Sequence, residues 1–152
     1  MSNKLIRNRQ QQNSNDIVID DGSRVYNIKN KRGETLGRFT FVPSDIGIVE
    51  RYDHAVKTFE ELQVYLESGE DDDKKKITVA QNKMIVEINQ LFNADVAETF
   101  FKITGPFSIL DSGEFYAVHI IEKIRAVIEK ETGVRLGKTK SRADKYTQKY
   151  HK

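Results

Sequence analysis

Three histidines are the side chains best suited to move protons near neutral pH: His54, His119 and His151. They fall in three different predicted elements, and no serine or acid is spaced to complete a catalytic triad with any of them. The chain has no cysteine, and we find no nucleophile elbow, phosphate-cradling glycine loop or dinucleotide fingerprint. We therefore expect packing or surface histidines in a protein that is not an enzyme and binds no metal or cofactor.

Two groups of charged side chains are expected to be structural. The run Glu70–Asp73 has its acids side by side, whereas calcium loops need acids at alternate positions around a central glycine. Three lysines follow the acids, so we expect Ser68–Lys76 to be a solvated loop. Near the start of the first predicted helix, Arg51 is expected either to pair with Asp45 or to approach the last helix.

The C-terminal end is the most basic part of the chain. From Gly133 to Lys152 there are seven basic residues and one acid, a charge of +6, against 18 basic and 22 acidic residues, or −4, in the rest. Basic residues interleaved with tyrosines can contact phosphates and stack on bases, but the acidic body favours a solubilising tail or a docking arm for an acidic protein partner. The candidate contact residues are Lys138, Lys140, Arg142, Lys145, Tyr146 and Lys149.

The elements that would position these residues form one domain between two polar ends. Residues 1–15 are rich in Asn and Gln and are expected to be disordered, with no signal-peptide core. A single globular domain is expected over 16–133, followed by a basic tail over 134–152. Because no run approaches the roughly 18 apolar residues of a membrane span, we expect a cytoplasmic protein.

Hydrophobic periodicity predicts an α+β fold, a small antiparallel β-meander followed by about four mainly amphipathic helices. The predicted strands are Ile17–Asp20, Arg24–Asn30 and Thr35–Val42, with a turn at Asp21-Gly22. Capping signals predict helices that begin at Ser44, Thr78 and Asp111, with a short helix over Asp95–Lys102. The first is expected to end at Glu67 and the last to be stopped by Gly133.

The predicted connector Leu91–Tyr116 carries six of the 14 aromatic residues, 8 Phe and 6 Tyr. Buried rings remove large apolar areas from water, so we expect most of them in the core. Those that stay accessible would form a partner-binding surface, and the candidates are Phe101, Phe107 and Tyr116.

An ordered set of short motifs resembles the tail assembly chaperone-type proteins of long-tailed phages and prophages of Gram-positive bacteria. The set extends from about Tyr26 to Gly133 and leaves out both polar ends. Its members are Tyr26–Asn30, Gly33, Leu36–Phe39, Phe41–Asp45, Arg51-Tyr52, Leu91-Phe92, Asp95, Phe100-Phe101, Pro106 and Gly113–Tyr116.

The resemblance implies a small, mostly helical, non-enzymatic protein of virion assembly. Such a protein is expected to bind the tape measure protein, to help recruit the major tail protein that builds the tail tube, and to self-associate. An extended amphipathic helix as client would need apolar grooves between helices. Two alternatives stay open: a nucleic-acid-binding accessory protein that uses the basic tail, and a minor structural virion protein of the tail or the head–tail joint.

Overall fold

The computed structural model describes residues 15–69 and 72–139, which form a two-stranded sheet followed by four helices. This confirms the predicted α+β fold. The strands are β1, Arg24–Lys29, and β2, Thr35–Phe41. The helices are α1, Gly47–Glu67; α2, Asp73–Phe92; α3, Ala97–Phe100; and α4, Tyr116–Thr132. The predicted polar N-terminus lies, apart from Asn15, outside the described residues.

The two strands form an antiparallel hairpin, paired from Arg24↔Phe41 to Ile28↔Gly37. Its turn is closed by a backbone hydrogen bond from Asn30 to Glu34 (3.0 Å), and Gly33 takes the positive φ of 86°. Alternation along the strands places Tyr26, Ile28, Phe39 and Phe41 against the helices, where all four contact the core.

The predicted third strand, Ile17–Asp20, is wrong. In the described residues the sheet has two strands, and the chain before β1 has no regular structure. The carboxylates of Asp20 and Asp21 accept hydrogen bonds from the backbone N–H groups of Gly22 (3.0 Å) and Ser23 (2.9 Å). Such local bonds compete with the ladder of a hairpin, and the segment does not pair with β1.

Helix α1 begins at Gly47, not at Ser44. Ser44 lies in a turn in which Asp45 N–H donates to Val42 (3.0 Å), and the Asp45 carboxylate then accepts from Gly47 N–H (3.1 Å). The predicted pairing of Arg51 with Asp45 is confirmed: the guanidinium lies 2.5 Å from that carboxylate and also donates to the carbonyl of Leu91 (3.0 Å). The ion pair lowers the pKa of Asp45 and ties the start of α1 to the end of α2.

Helix α2 begins at Asp73, ahead of the predicted cap Thr78, because the Asp72 carboxylate accepts from Lys75 N–H (2.9 Å) and caps the helix. Thr78 lies inside the helix and donates to the carbonyl of Lys74. The prediction of a fully solvated loop over Ser68–Lys76 is also wrong, since Lys76 is 3% exposed.

The last two helices differ from the prediction at their starts. Helix α3 is shorter than Asp95–Lys102, and the Asn89 side chain of α2 accepts from two of its first N–H groups, both at 2.8 Å. Helix α4 begins at Tyr116 without a side-chain cap, so Asp111 is not its N-cap. Backbone carbonyls of Pro106 and Ser108 accept its first N–H groups instead. Gly133, in the left-handed conformation with φ 75°, ends α4 as predicted.

Helices α1, α2 and α4 enclose the core together with the inner face of the hairpin. Its members include Phe41, Phe59, Met84, Ile88, Leu91, Ile121, Ile124 and Ile128, all at most 2% exposed. None of the helices in residues 15–69 and 72–139 has the length and apolar character that crossing a membrane requires.

Residues 134–139 run back along α4 as an extended segment, which we call the strap. Leu136 N–H donates to the Glu129 carboxylate (2.7 Å), and Thr139 N–H donates to the Glu122 carboxylate (3.2 Å). Arg125 lies 2.7 Å from Glu122 and 3.5 Å from Glu129 and so offsets part of their negative charge. The first residues of the predicted tail are therefore packed against the domain.

Candidate partner-binding groove

An apolar groove of about 290 Å³ runs between the β-hairpin and α4; we call it the hairpin–helix groove. Its inner part is made by buried core side chains, among them Phe39, Phe100 and Ile120. Its rim carries the exposed side chains of Lys29, Lys123 and His119. The remaining lining residues are Tyr26, Asn27, Ile28, Leu36, Ile103, Tyr116, Ile124 and Val127.

The groove follows from the two sequence periods that meet there. Residues two apart on β1, Tyr26 and Ile28, share one face of the strand, while Tyr116, Ile120, Ile124 and Val127 recur at three- and four-residue steps on α4. The two apolar rows face each other across the groove.

One end of the groove is closed by a polar contact between β1 and α4. The Tyr26 hydroxyl donates to the Glu131 carboxylate, and Arg24 lies 3.3 Å from the same carboxylate. The hydrogen bond to Glu131 raises the pKa of Tyr26, so this phenol is neutral at physiological pH. The contact fixes the distance between strand and helix at this end.

Two of the three predicted partner-binding residues lie side by side near the other end of the groove. Tyr116 is half-buried in the groove wall, and its hydroxyl donates to the carbonyl of Phe100 (3.3 Å). Phe101 is half-buried beside it, with the rings 6.1 Å apart at 72°. Phe101 itself faces a neighbouring, more polar depression. We call the pair Phe101 and Tyr116 the aromatic ridge, because it separates this depression from the hairpin–helix groove.

Phe107 belongs to the core and is not an accessible partner-binding residue. It is 6% exposed, its ring stacks on Phe59 at 5.7 Å, and its edge meets Phe115 at 5.1 Å. A turn between Gly105 and Ser108 brings it beneath the start of α4, whose first N–H groups bond to that same turn. Its burial is a property of this turn and could not be read from the aromatic content of the connector.

The groove also uses residues that we did not predict as site residues: Tyr26, Ile28, Leu36, Ile103 and Val127. Their signal in the sequence is the alternating apolar face of the hairpin and the wide apolar stripe of α4. That signal marks a face as apolar, but it does not tell which part of the face the core leaves uncovered.

The predicted basic contact surface lies mostly outside the described residues. Lys138 is exposed on the strap, whereas Lys140, Arg142, Lys145, Tyr146 and Lys149 are not described. The carboxylates that hold the strap, Glu122 and Glu129, do not line the groove. Lys138 therefore lies along a different face of α4.

The two described histidines, His54 and His119, lie in different parts of the structure. His54 contacts the Glu87 carboxylate between α1 and α2, His119 stacks on Tyr116 at the groove rim (6.2 Å), and His151 is not described. Within residues 15–69 and 72–139, no group of three or more His, Asp or Glu side chains is placed to hold a metal ion.

Comparisons with models of protein families, with curated proteins and with solved structures found no match. The class that the fold and the site define is a small α+β protein with an apolar groove beside an aromatic ridge.

Proposed function

We propose that this protein is a non-enzymatic tail assembly chaperone of a long-tailed phage or prophage, acting in the cytoplasm of the bacterial host. In this proposal it binds the tape measure protein and helps to recruit the major tail protein. The observation that carries the proposal is the hairpin–helix groove, together with the ordered motifs of the sequence.

The shape and chemistry of the groove suit an amphipathic helix as client. Its volume of about 290 Å³ accommodates a few apolar side chains, as a helix presents them at positions i, i+3, i+4 and i+7. Lys29 and Lys123 on the rim would meet acidic side chains that flank the apolar stripe of such a client. The aromatic ridge adds rings that can cover apolar surface next to the groove.

The titratable groups of the groove favour binding over catalysis. The hydroxyls of Tyr26 and Tyr116 are both engaged in hydrogen bonds, and both phenols have a raised pKa. A phenol of this kind is a poor base or nucleophile near pH 7. His119 is exposed on the rim and stacks on Tyr116, with no carboxylate described beside it to orient its ring.

Co-expression with the tape measure protein of the same phage or prophage tests the proposal. The groove is probed by Ile103→Asp, because Ile103 lines the groove and is 60% exposed, so the charge should leave the fold intact. Ile109→Asp is the matched control, since Ile109 is also 60% exposed and lies outside the groove.

We expect the tape measure protein to stay soluble and to co-elute with the unchanged chain and with Ile109→Asp. With Ile103→Asp we expect it to aggregate, because a carboxylate in an apolar groove must be desolvated when the client binds. A client that is insoluble with the unchanged chain contradicts the chaperone function. Equal solubility with both variants contradicts the assignment of the groove.

The two alternative functions stay predictions with their own tests. A nucleic-acid-binding protein would bind DNA or RNA with steep salt dependence, and deletion of Lys138–Lys152 would abolish the binding. A structural virion protein would be found in purified particles, from which a chaperone would be absent.

A further inference from the structure

Strand β1 has an open edge. In the described part of the chain it pairs with β2 alone, and no other backbone hydrogen bond is made to the edge that faces away from β2. Such an edge presents unpaired N–H and C=O groups in the spacing that another strand requires. The consecutive residues Tyr26–Lys29 line the hairpin–helix groove, so this edge lies beside an apolar furrow.

The segment Ile17–Ile19 has the composition of a strand but no regular structure. Its three side chains are β-branched, a composition enriched in strands, yet they are 87%, 75% and 77% exposed and pair with no strand in the described residues. Such a run of exposed apolar side chains is a site for contact with another protein surface.

We propose that Ile17–Ile19 of a second copy of this chain pairs with the open edge of β1, and that the two copies exchange these segments reciprocally. The assembly is then a two-fold dimer, since each copy offers one segment and one edge. Each copy thereby covers the other's exposed apolar segment.

The side chains on both sides of the pair are complementary. In an extended strand Ile17 and Ile19 point to one side, where the groove would take them, and Val18 points to the other. On that other side Val25 of β1 is 62% exposed, and it would be a cross-strand neighbour for Val18.

Charge adds one contact to this pairing. Asp16, Val18 and Asp20 point to one side of an extended segment, and Val25 and Lys29 point to one side of β1. With Val18 opposite Val25, Lys29 is a diagonal neighbour of Asp16 in an antiparallel pair and of Asp20 in a parallel pair. Such a contact adds specificity to an interface.

The second copy is favoured over closure within one chain by the turn that precedes β1. Asp20 and Asp21 accept local hydrogen bonds from the N–H groups of Gly22 and Ser23, and the segment Ile17–Ile19 stays 75–87% exposed and does not pair with its own β1. This turn restrains the segment only relative to its own β1 and does not prevent it from pairing with the β1 of a neighbouring molecule. Because Ile17 and Ile19 would enter the groove, the second copy would compete with the client for it. Only this competition rests on the function proposed above; the pairing itself does not.

Sedimentation of the full chain over a wide concentration range tests the pairing. We expect a monomer of 17.5 kDa that shifts to twice that mass as concentration rises. Ile17→Ser with Ile19→Ser should stay monomeric, because the apolar contacts with the groove are lost. The control Ile46→Ser, which changes an isoleucine that is 92% exposed at the start of α1, should dimerise like the unchanged chain.

Hydrogen exchange separates the possible pairings. Dimerisation should protect amides of Ile17–Ile19 and of β1 together, in proportion to the dimer present. The proposal is overturned if the unchanged chain is monomeric at all concentrations or if the double variant dimerises equally well. It is also overturned by protection of Ile17–Ile19 in the monomer, which means closure within one chain, and by assemblies that grow beyond two copies.

The outcome is separable from that of the proposed function. If the double variant is monomeric but still keeps the tape measure protein soluble, pairing and client binding both stand. If the dimer forms as described but Ile103→Asp leaves client solubility unchanged, the client site is wrong and the dimer stands.

Discussion

Lys76 offers the sharpest test of how the helices are joined. This lysine is 3% exposed at the start of α2, and its ammonium group donates to the carbonyls of Leu66 (3.3 Å) and Ser68 at the C-terminal end of α1. These are acceptors that a helix end leaves without intrahelical partners. We predict that Lys76→Met, which keeps the apolar stem and removes the ammonium, lowers the free energy of unfolding by about 2 kcal/mol.

The magnitude is the balance of three effects. Hydrogen bonds from a charged donor are worth about 1.5–3 kcal/mol each, and a cation at a helix C-terminus adds roughly 0.3–1 kcal/mol. Against these stands the desolvation of a buried ammonium, which can cancel much of the gain. The ion pair with Asp73, at 3.6 Å, adds little because the Asp73 side chain is 95% exposed.

Urea unfolding of Lys76→Met beside Lys74→Met measures the effect. Lys74 is an exposed neighbour on the same helix, so its substitution should change the free energy of unfolding by less than about 0.5 kcal/mol. The predicted loss for Lys76→Met corresponds to a drop in melting temperature of roughly 5–10 °C. Equal stability of the two variants would show that desolvation outweighs the hydrogen bonds and would refute the capping role.

Two further predictions concern the core. Phe107→Ala should lower the free energy of unfolding by about 3–5 kcal/mol, because it leaves a cavity where the ring stacked on Phe59. Phe101→Ala removes a half-buried ring and should cost clearly less. Chemical denaturation compares the two variants, and equal losses would contradict the buried placement of Phe107. The second prediction concerns the dependence of stability on pH. Burial raises the pKa of Tyr52 to about 12, above its value near 10 in the unfolded chain. The neutral phenol therefore contributes stability below pH 10, and this contribution is lost as the pH rises toward 12. Between pH 10 and pH 11 the unchanged chain should therefore lose roughly 1 kcal/mol more than Tyr52→Phe in urea unfolding, and parallel losses would show that Tyr52 is not desolvated.

The interior of the elements was predictable from the sequence because burial imposes a period on them. Tyr52, Phe59 and Leu62 recur at helical steps and are buried in α1, and Gly133 ends α4 since a left-handed residue is needed there. The starts of α3 and α4 were not predictable from local capping signals. The Asn89 side chain of α2 and the backbone of the turn at Pro106 supply the bonds that a local cap would have made.

The charged run after α1 shows the same limit of local sequence reasoning, here for a residue that was predicted to be exposed and is buried. Composition indicates that lysines are solvated, and Lys74 obeys this rule. Lys76 does not, because two residues further along the helix its side chain points at the end of α1, where carbonyl groups replace the water it loses. Burial of a charge depends on what the neighbouring element presents, and the sequence around the charge does not contain that information.

The same reasoning explains why the candidate site was only partly predictable. Tyr116 lies on the groove because it is on the apolar stripe of α4, but Phe107, an equally apolar candidate, fills the core under the start of that helix. What makes the groove is the distance between β1 and α4, which the contact of Tyr26 and Arg24 with Glu131 fixes at one end. These residues carry no signal of binding by themselves. A groove of this kind is a property of paired elements, and this pairing supplies the surface that the proposed helical client or the proposed exchanged segment Ile17–Ile19 would occupy.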